Sequence, residues 1–228
     1  FQLSEHVLSE INTLPDDSLL RYVVHRYRYE MFPQIKEIDD FPPYLQIEPS
    51  SICNFRCVFC FETDTSFTNK KNGFMGRMTY DLFKKIIDEA VDSGTEAITL
   101  TCRGEPTLHP QIGEMLEYCS GKFIEFKMNT NATKLNEKLI HQILKSGMTD
   151  LVFSVDSYYK EEFESLRVRA VFEEVVENIK KFKEIRDKDY PNSGCVTRAG
   201  GVQVSEKQDP QKFEEFWKQY VDFVVMIR

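Results

Sequence analysis

No stretch of the 228-residue sequence approaches the roughly 20 consecutive apolar residues that a membrane-spanning helix needs. No basic-then-apolar leader stands at the N-terminus. Basic residues are the minority: 29 Lys and Arg against 37 Asp and Glu give a formal net charge of −8. That balance argues against nucleic acid or an anionic membrane as a main partner and leaves neutral or basic substrates open. No G-x-G-x-x-G follows any expected strand, which makes a Rossmann-type dinucleotide site a poor fit. Cysteines are sparse outside one cluster. Cys102, Cys119 and Cys195 stand alone, a pattern unlike a secreted disulfide framework and one that favours a reducing, cytoplasmic compartment.

The remaining three cysteines are concentrated. Cys53, Cys57 and Cys60 lie at C-x3-C-x2-C spacing just after an extended apolar segment, 44–48. Three thiolates this close in sequence can converge on one soft metal centre. A closed zinc or iron–sulfur site usually takes four protein ligands. Two chemistries therefore stand open. One is an iron–sulfur cluster with an iron left for a small molecule. The other is a structural zinc in a binding module, with His109 or Cys102 as a distant fourth ligand.

Hydrophobic residues make up 41% of the chain, enough for a substantial core, and the length suits one large domain. Residues 4–31 read as helical, with Leu19, Leu20, Val23, Val24 and Tyr27 as an apolar stripe packed on the domain. His25 is expected at the surface or satisfied by neighbours, and Pro33 with Pro42 and Pro43 is expected to break the helix. Strands are then expected at 44–48, 97–102, 123–128, 151–155, 201–204 and 221–227. Helices are expected at 79–93, 111–119, 135–146, 172–186 and 210–220. Strand–helix alternation implies parallel pairing, and six units make an incomplete (β/α)6 TIM-like barrel. Residues 1–43 would be an N-terminal helical extension and 44–228 the barrel. The chain opens on Phe1 and ends inside the last strand, so a longer protein, with the barrel cut short at strand 6, is expected.

In α/β barrels the chemistry sits at the C-terminal strand ends, and polar residues gather there repeatedly. The cysteine loop follows strand 1, Arg103-Gly104-Glu105-Pro106 follows strand 2, Asn129-Thr130-Asn131 follows strand 3, and Ser154 and Asp156 close strand 4. His109, Tyr158 and Arg198 are rim candidates for substrate contact. The polar stretch 62–77 is long for a connection and is a candidate lid.

The cysteine spacing, with aromatic Phe59 before Cys60, resembles the signature of the radical SAM superfamily. The resemblance covers about residues 44–228. It implies that Cys53, Cys57 and Cys60 hold a 4Fe–4S cluster whose open iron binds S-adenosyl-L-methionine (SAM). Gly104-Glu105-Pro106 resembles the superfamily's G-G-E segment, with Arg103 in place of the first glycine; Glu105 would hold the SAM ammonium group. Ser154 would hydrogen-bond SAM, Arg167 would pair with its carboxylate, and Val202 would pack on adenine. Asn129, Asn131 and Phe59 would touch SAM or substrate. The activity implied is reductive cleavage of SAM to a 5′-deoxyadenosyl radical that takes a hydrogen atom from an unactivated carbon. A small flavodoxin- or ferredoxin-type protein would supply electrons. Short segments including Phe216-Trp217 resemble the SPASM-type subgroup, which acts on peptides, protein side chains and carbohydrates. Cys102 is a weak candidate for a catalytic hydrogen donor, and a barrel that binds SAM without turnover is a further alternative.

Overall fold

The computed structural model describes residues 7–8, 11 and 16–227. In chain order the elements are α1 (Asp16–Ile35), β1 (Tyr44–Ile47), β2 (Arg56–Cys57), α2 (Thr65–Thr68), α3 (Tyr80–Asp92), β3 (Ala97–Leu100), α4 (Ile112–Cys119) and β4 (Glu125–Thr130). They continue as α5 (Glu137–Lys145), β5 (Asp150–Ser154), α6 (Lys160–Leu166), β6 (Arg167–Val168), α7 (Phe172–Asp189), β7 (Val196–Val202), α8 (Pro210–Trp217) and β8 (Phe223–Ile227).

Six strands pair in the order β1-β3-β4-β5-β7-β8, all parallel. This is the α/β, partial TIM-like barrel expected from the alternation. β3 has no exposed position, as befits a central parallel strand covered on both faces. Each helix docks through a spacing its sequence dictates. In α3 the Thr79 hydroxyl accepts from the Leu82 N–H, Phe83, Ile87 and Ala90 turn inward, and Gly94 at φ 77° ends the run. In α5 Asn136 caps the Leu139 N–H, and Leu139, Ile140, Ile143 and Leu144 are buried. Each buried Phe, Ile or Leu side chain among these contributes about 1.5–3 kcal/mol of burial.

The N-terminal region departs from expectation. The part of the expected helix at residues 4–6, 9–10 and 12–15 lies outside the described residues. The helix does not stop before Pro33 but runs through it to Ile35. Pro33 sits in the last turn, where its missing N–H withholds only one bond. The chain then reverses at Lys36 (φ 58°), with the Glu37 N–H donating to the Phe32 carbonyl. The buried face of α1 is also not the apolar stripe. Leu20, Val23, Val24 and Tyr27 are exposed, whereas Tyr22 and His25 are buried. That side of α1 meets the N-terminal strand ends, which present carboxylates. Arg21 pairs with Glu96, Arg26 lies 3.7 Å from Glu125, and Val7, Tyr22 and Ile124 close the contact. His25 is therefore neither a surface histidine nor a satisfied one. Both ring nitrogens are buried without a hydrogen bond among the described residues, and Nε2 lies 3.8 Å from Glu125 Oε1. Burial, with Arg26 and Arg28 nearby, pushes its pKa down to about 4.

Strand 3 is shifted two residues late, which brings Asn129 and Thr130 into β4. The sequence reading missed α6 and the two-residue ribbon that β6 forms with β2. Its β-branched content is low and its length minimal, so no periodicity marks it.

Candidate metal and cofactor site

At the C-terminal rim the loops after β1, β3, β4 and β5 enclose a cleft of about 260 Å³. It is lined by Cys53, Phe55, Cys57, Phe59, Cys60, Thr101, Cys102, Arg103, Gly104, Glu105, Asn129, Thr130, Asn131, Ser154 and Arg167. All three triad cysteines and all but one of the expected cofactor-binding residues thus meet in one place. The exception is Val202. It ends β7 on the same rim, but its side chain is 40% exposed and outside the cleft, and its N–H donates to Asp156 Oδ1 at 2.7 Å.

The cysteine loop is held by pairing on both sides. Cys57 lies opposite Arg167 in the β2–β6 ribbon, and the Val58 N–H donates to the Leu166 carbonyl at 2.9 Å. Arg56 Nη1 donates back to the Cys53 and Phe55 carbonyls and lies 3.4 Å from Glu62, a buried carboxylate. Gly104 passes directly beneath this loop, and a Cβ there would stand 2.1 Å from the Ser50 carbonyl oxygen. Burial pushes the Cys53 thiol up to about 12 and the Cys57 thiol up as well, the latter against the pull of Arg167. Binding a soft cation takes these groups as thiolates and releases their protons.

Glu105 is 3% exposed. Its Oε1 accepts from the Thr107 N–H and hydroxyl and from the Thr130 hydroxyl; its Oε2 accepts from the Asn131 N–H at 2.6 Å. Burial pushes its pKa up, against these four bonds. Oε2 retains a lone pair for a further donor. Thr107 and Thr130, which orient this carboxylate, were not singled out from the sequence; a threonine carries no pattern that separates such a role from strand preference. Asn131 is spent inside the protein: Nδ2 donates to Asn54, and Oδ1 accepts from the Thr133 N–H and hydroxyl. Asn129 is different, with its Oδ1 buried and unpartnered among the described residues.

Arg103 replaces the expected glycine without disturbing the cleft. It turns away to make a two-pronged pair with Glu48, both contacts at 2.9 Å, and its guanidinium lies 5.2 Å from the Phe67 ring. Phe67 packs between Phe61 and Phe74, so the segment 62–77 folds onto itself as an aromatic cluster. Cys102 lines the cleft at φ 124°, a backbone region that disfavours side chains.

The three rim candidates do not line the cleft. Arg198 is at the opposite end of the barrel, where its Nε donates to Asp150 at 2.7 Å. His109 Nε2 donates to the Met78 carbonyl at 2.9 Å while Nδ1 accepts from the Gln111 N–H. With both nitrogens used, His109 cannot close a zinc site. Tyr158 packs against the core beside Tyr159.

Residues 47–209 match the family described as Radical SAM superfamily. The chain belongs to the radical SAM superfamily. Among its relatives, a tungsten-containing aldehyde ferredoxin oxidoreductase cofactor-modifying protein of Pyrococcus furiosus is 32% identical over 114 residues, covering 50% of this chain and 30% of that protein. A GTP 3′,8-cyclase of Aliarcobacter butzleri is 28% identical over 178 residues, covering 77% of this chain and 51% of that protein. The chain thus spans about half or less of the length of these relatives. In fold, it is similar to Streptococcus suis SuiB bound to the precursor peptide SuiA, with a TM-score of 0.64 and 22% identity, over 94% of this chain and 45% of that one. Methylornithine synthase gives a TM-score of 0.56 at 14% identity, over 100% of this chain and 65% of that one.

Radical SAM proteins are enzymes that use a 4Fe–4S cluster and SAM. The residues here fit those cofactors. The three thiols face one cleft, and unpartnered acceptor capacity remains at Asn129 and Glu105 for a cationic, donor-rich ligand.

Proposed function

We propose that this chain carries the cluster- and SAM-binding part of a radical SAM enzyme of the SPASM type. Its substrate would be a peptide, a protein side chain or a carbohydrate, and the outcome dehydrogenation, epimerisation or crosslinking. The observation that carries this reading is the gathering of Cys53, Cys57 and Cys60 with Glu105, Asn129, Ser154 and Arg167 around one cleft.

Cys53, Cys57 and Cys60 would hold the cluster. Glu105, fixed from four sides, offers a carboxylate oxygen to the SAM ammonium group. Asn129 and Ser154, on neighbouring strands of the same rim, offer polar atoms to the nucleoside. Phe59 covers the cleft beside Arg167, and an apolar lid of this kind excludes water from a reactive species. When bound, cluster and SAM together supply hydrogen-atom abstraction from an unactivated carbon. Residues 1–43 would be an extension bracing the N-terminal strand ends, and 44–228 the barrel. All six cysteines are free thiols, in keeping with a cytoplasmic setting, and a small flavodoxin- or ferredoxin-type protein would deliver electrons.

The test is anaerobic purification, reduction and addition of SAM, with iron, sulfide and 5′-deoxyadenosine measured. At least four irons and four sulfides per chain, with nucleoside formed, is the expected result. Zinc without sulfide, and no nucleoside, would replace this reading with a metal-stabilised binding module. Cluster without nucleoside would leave a barrel that binds SAM without turnover.

A further inference from the structure

The buried pair Arg167–Asp156 reaches one of the three triad sulfurs. Arg167 ends α6, is 6% exposed, and enters the two-residue ribbon directly opposite Cys57. Its Nη1 donates to Cys57 Sγ at 3.7 Å, and its Nη2 lies 2.6 Å from Asp156 Oδ2. The Phe59 ring, 6.0 Å from the guanidinium carbon, lies over it. So two of the guanidinium nitrogens are committed to the protein rather than to a ligand.

Asp156 is itself fixed more firmly than an ordinary loop carboxylate. It is 1% exposed and holds φ at 60°, a region where side chains are disfavoured. Its Oδ1 takes the Val202 N–H at 2.7 Å, and its carbonyl takes Gln208 Nε2 at 2.9 Å. Gly201 packs on its backbone: a Cβ there would stand 3.1 Å from Asp156 Cα. Three contacts from β7 and the following loop thus hold Asp156, and Asp156 holds Arg167.

We propose that Arg167 and Asp156 act as positioning residues that set the reduction potential of the cluster through the Cys57 sulfur. This inference rests on the assignment of Cys57 as a cluster ligand. The physical basis is that reduction adds one electron to a cluster and its thiolates. A cation donating a hydrogen bond to a ligand sulfur stabilises that added charge and raises the potential. The carboxylate one contact further out opposes it, and in a buried setting neither charge is well screened. Removing the cation leaves the anion alone, and removing the anion leaves the cation alone. The two substitutions therefore shift the potential in opposite directions.

The experiment is an EPR-monitored redox titration of the reconstituted protein, with dithionite as reductant and without SAM. Arg167→Gln is expected to shift the midpoint to a more negative value and Asp156→Asn to a more positive one. Arg167→Lys, which keeps the charge, is expected to lie closer to the parent than Arg167→Gln. If Arg167→Gln takes up no cluster, Asp156→Asn and Arg167→Lys carry the comparison by the same criteria. Unshifted midpoints in cluster-loaded variants, or shifts of the same sign, overturn the inference. A role confined to holding the SAM carboxylate would instead weaken SAM binding in Arg167→Gln and leave the SAM-free midpoint where it was. The ligand assignment has a separate control: a full complement of iron in Cys57→Ala would sink it, whatever the midpoints of the other variants.

Discussion

Replacing Gly104 by alanine tests how the barrel supports the cysteine loop. The new Cβ would stand 2.1 Å from the Ser50 carbonyl oxygen, 2.6 Å from the Ser51 carbonyl carbon and 2.8 Å from the Ile52 nitrogen, where ordinary contact begins at 3.4 Å. The worst contact is short by about 1.3 Å, and all three atoms are backbone, which has no alternative rotamer to adopt. Either residues 50–52 or residues 103–105 must move. That movement pulls on the Glu105 N–H bond to the Ile52 carbonyl and the Arg103 N–H bond to Glu48. Forced overpacking costs about 1–3 kcal/mol, and the lost bonds about 1 kcal/mol each. A total of about 3 kcal/mol lowers the melting temperature of a domain this size by roughly 6–12 °C. Cys53 lies one residue beyond Ile52, so cluster iron should fall as well. Gly113 is the matched control. An alanine Cβ there would meet the end of the Gln142 side chain at 2.0 Å, a group that can swing aside. Gly113→Ala should therefore change the melting temperature by only a few degrees and leave cluster iron intact. Thermal unfolding and iron content of both variants decide the matter. A Gly104→Ala protein with parent stability and full iron would refute the close-approach argument.

Three further outcomes are expected. Glu105→Gln should retain cluster iron but bind SAM about 10- to 100-fold more weakly, the cost of a charged hydrogen bond; unchanged affinity by calorimetry would remove Glu105 from the SAM site. The protein should lose stability in mild acid because of His25. Its folded pKa of about 4 lies below the unfolded 6.5, so the unfolded chain binds more protons in between. Stability is then fully present above pH 6.5 and drains as pH falls toward 4, by about 2 kcal/mol between pH 7 and pH 5. In His25→Leu the urea midpoint should depend less on pH over that interval, and an identical dependence would contradict the assignment. Arg103→Ala, which breaks a half-exposed pair with Glu48, should cost no more than about 1 kcal/mol and leave cluster loading unchanged.

Much of the architecture was legible in the residues. Period-3.6 apolar spacing at Phe83, Ile87 and Ala90 and at Leu139, Ile140 and Ile143 reports helices that dock on one face. Short, largely apolar runs such as Ala-Ile-Thr-Leu at 97–100 report strands covered on both sides. These are local signals, because the spacing of side chains along a regular element is fixed by backbone geometry. The cysteine spacing is local in the same sense. What misled was α1, whose apolar stripe looks like a core face. Which face of a helix is buried depends on what it meets, and here it meets Glu96 and Glu125, some 70 to 100 residues away in the chain.

The candidate site divides along the same line. That three thiolates lie within eight residues, and that strand ends carry Glu105, Asn129 and Ser154, was settled by the sequence alone, since spacing and strand alternation place them on one rim. That Arg198 belongs to the opposite end, that His109 has no free nitrogen, and that Asn131 is consumed by Asn54 and Thr133 was decided only by the tertiary structure. So was the meeting of Arg167 with Cys57, 110 residues apart in the chain. A hydrogen bond across such a separation leaves no periodicity in either segment. It exists because the barrel brings the end of α6 against the cysteine loop, and because Asp156, held by the Val202 N–H at the end of β7, stands 2.6 Å from the other terminal nitrogen of the guanidinium.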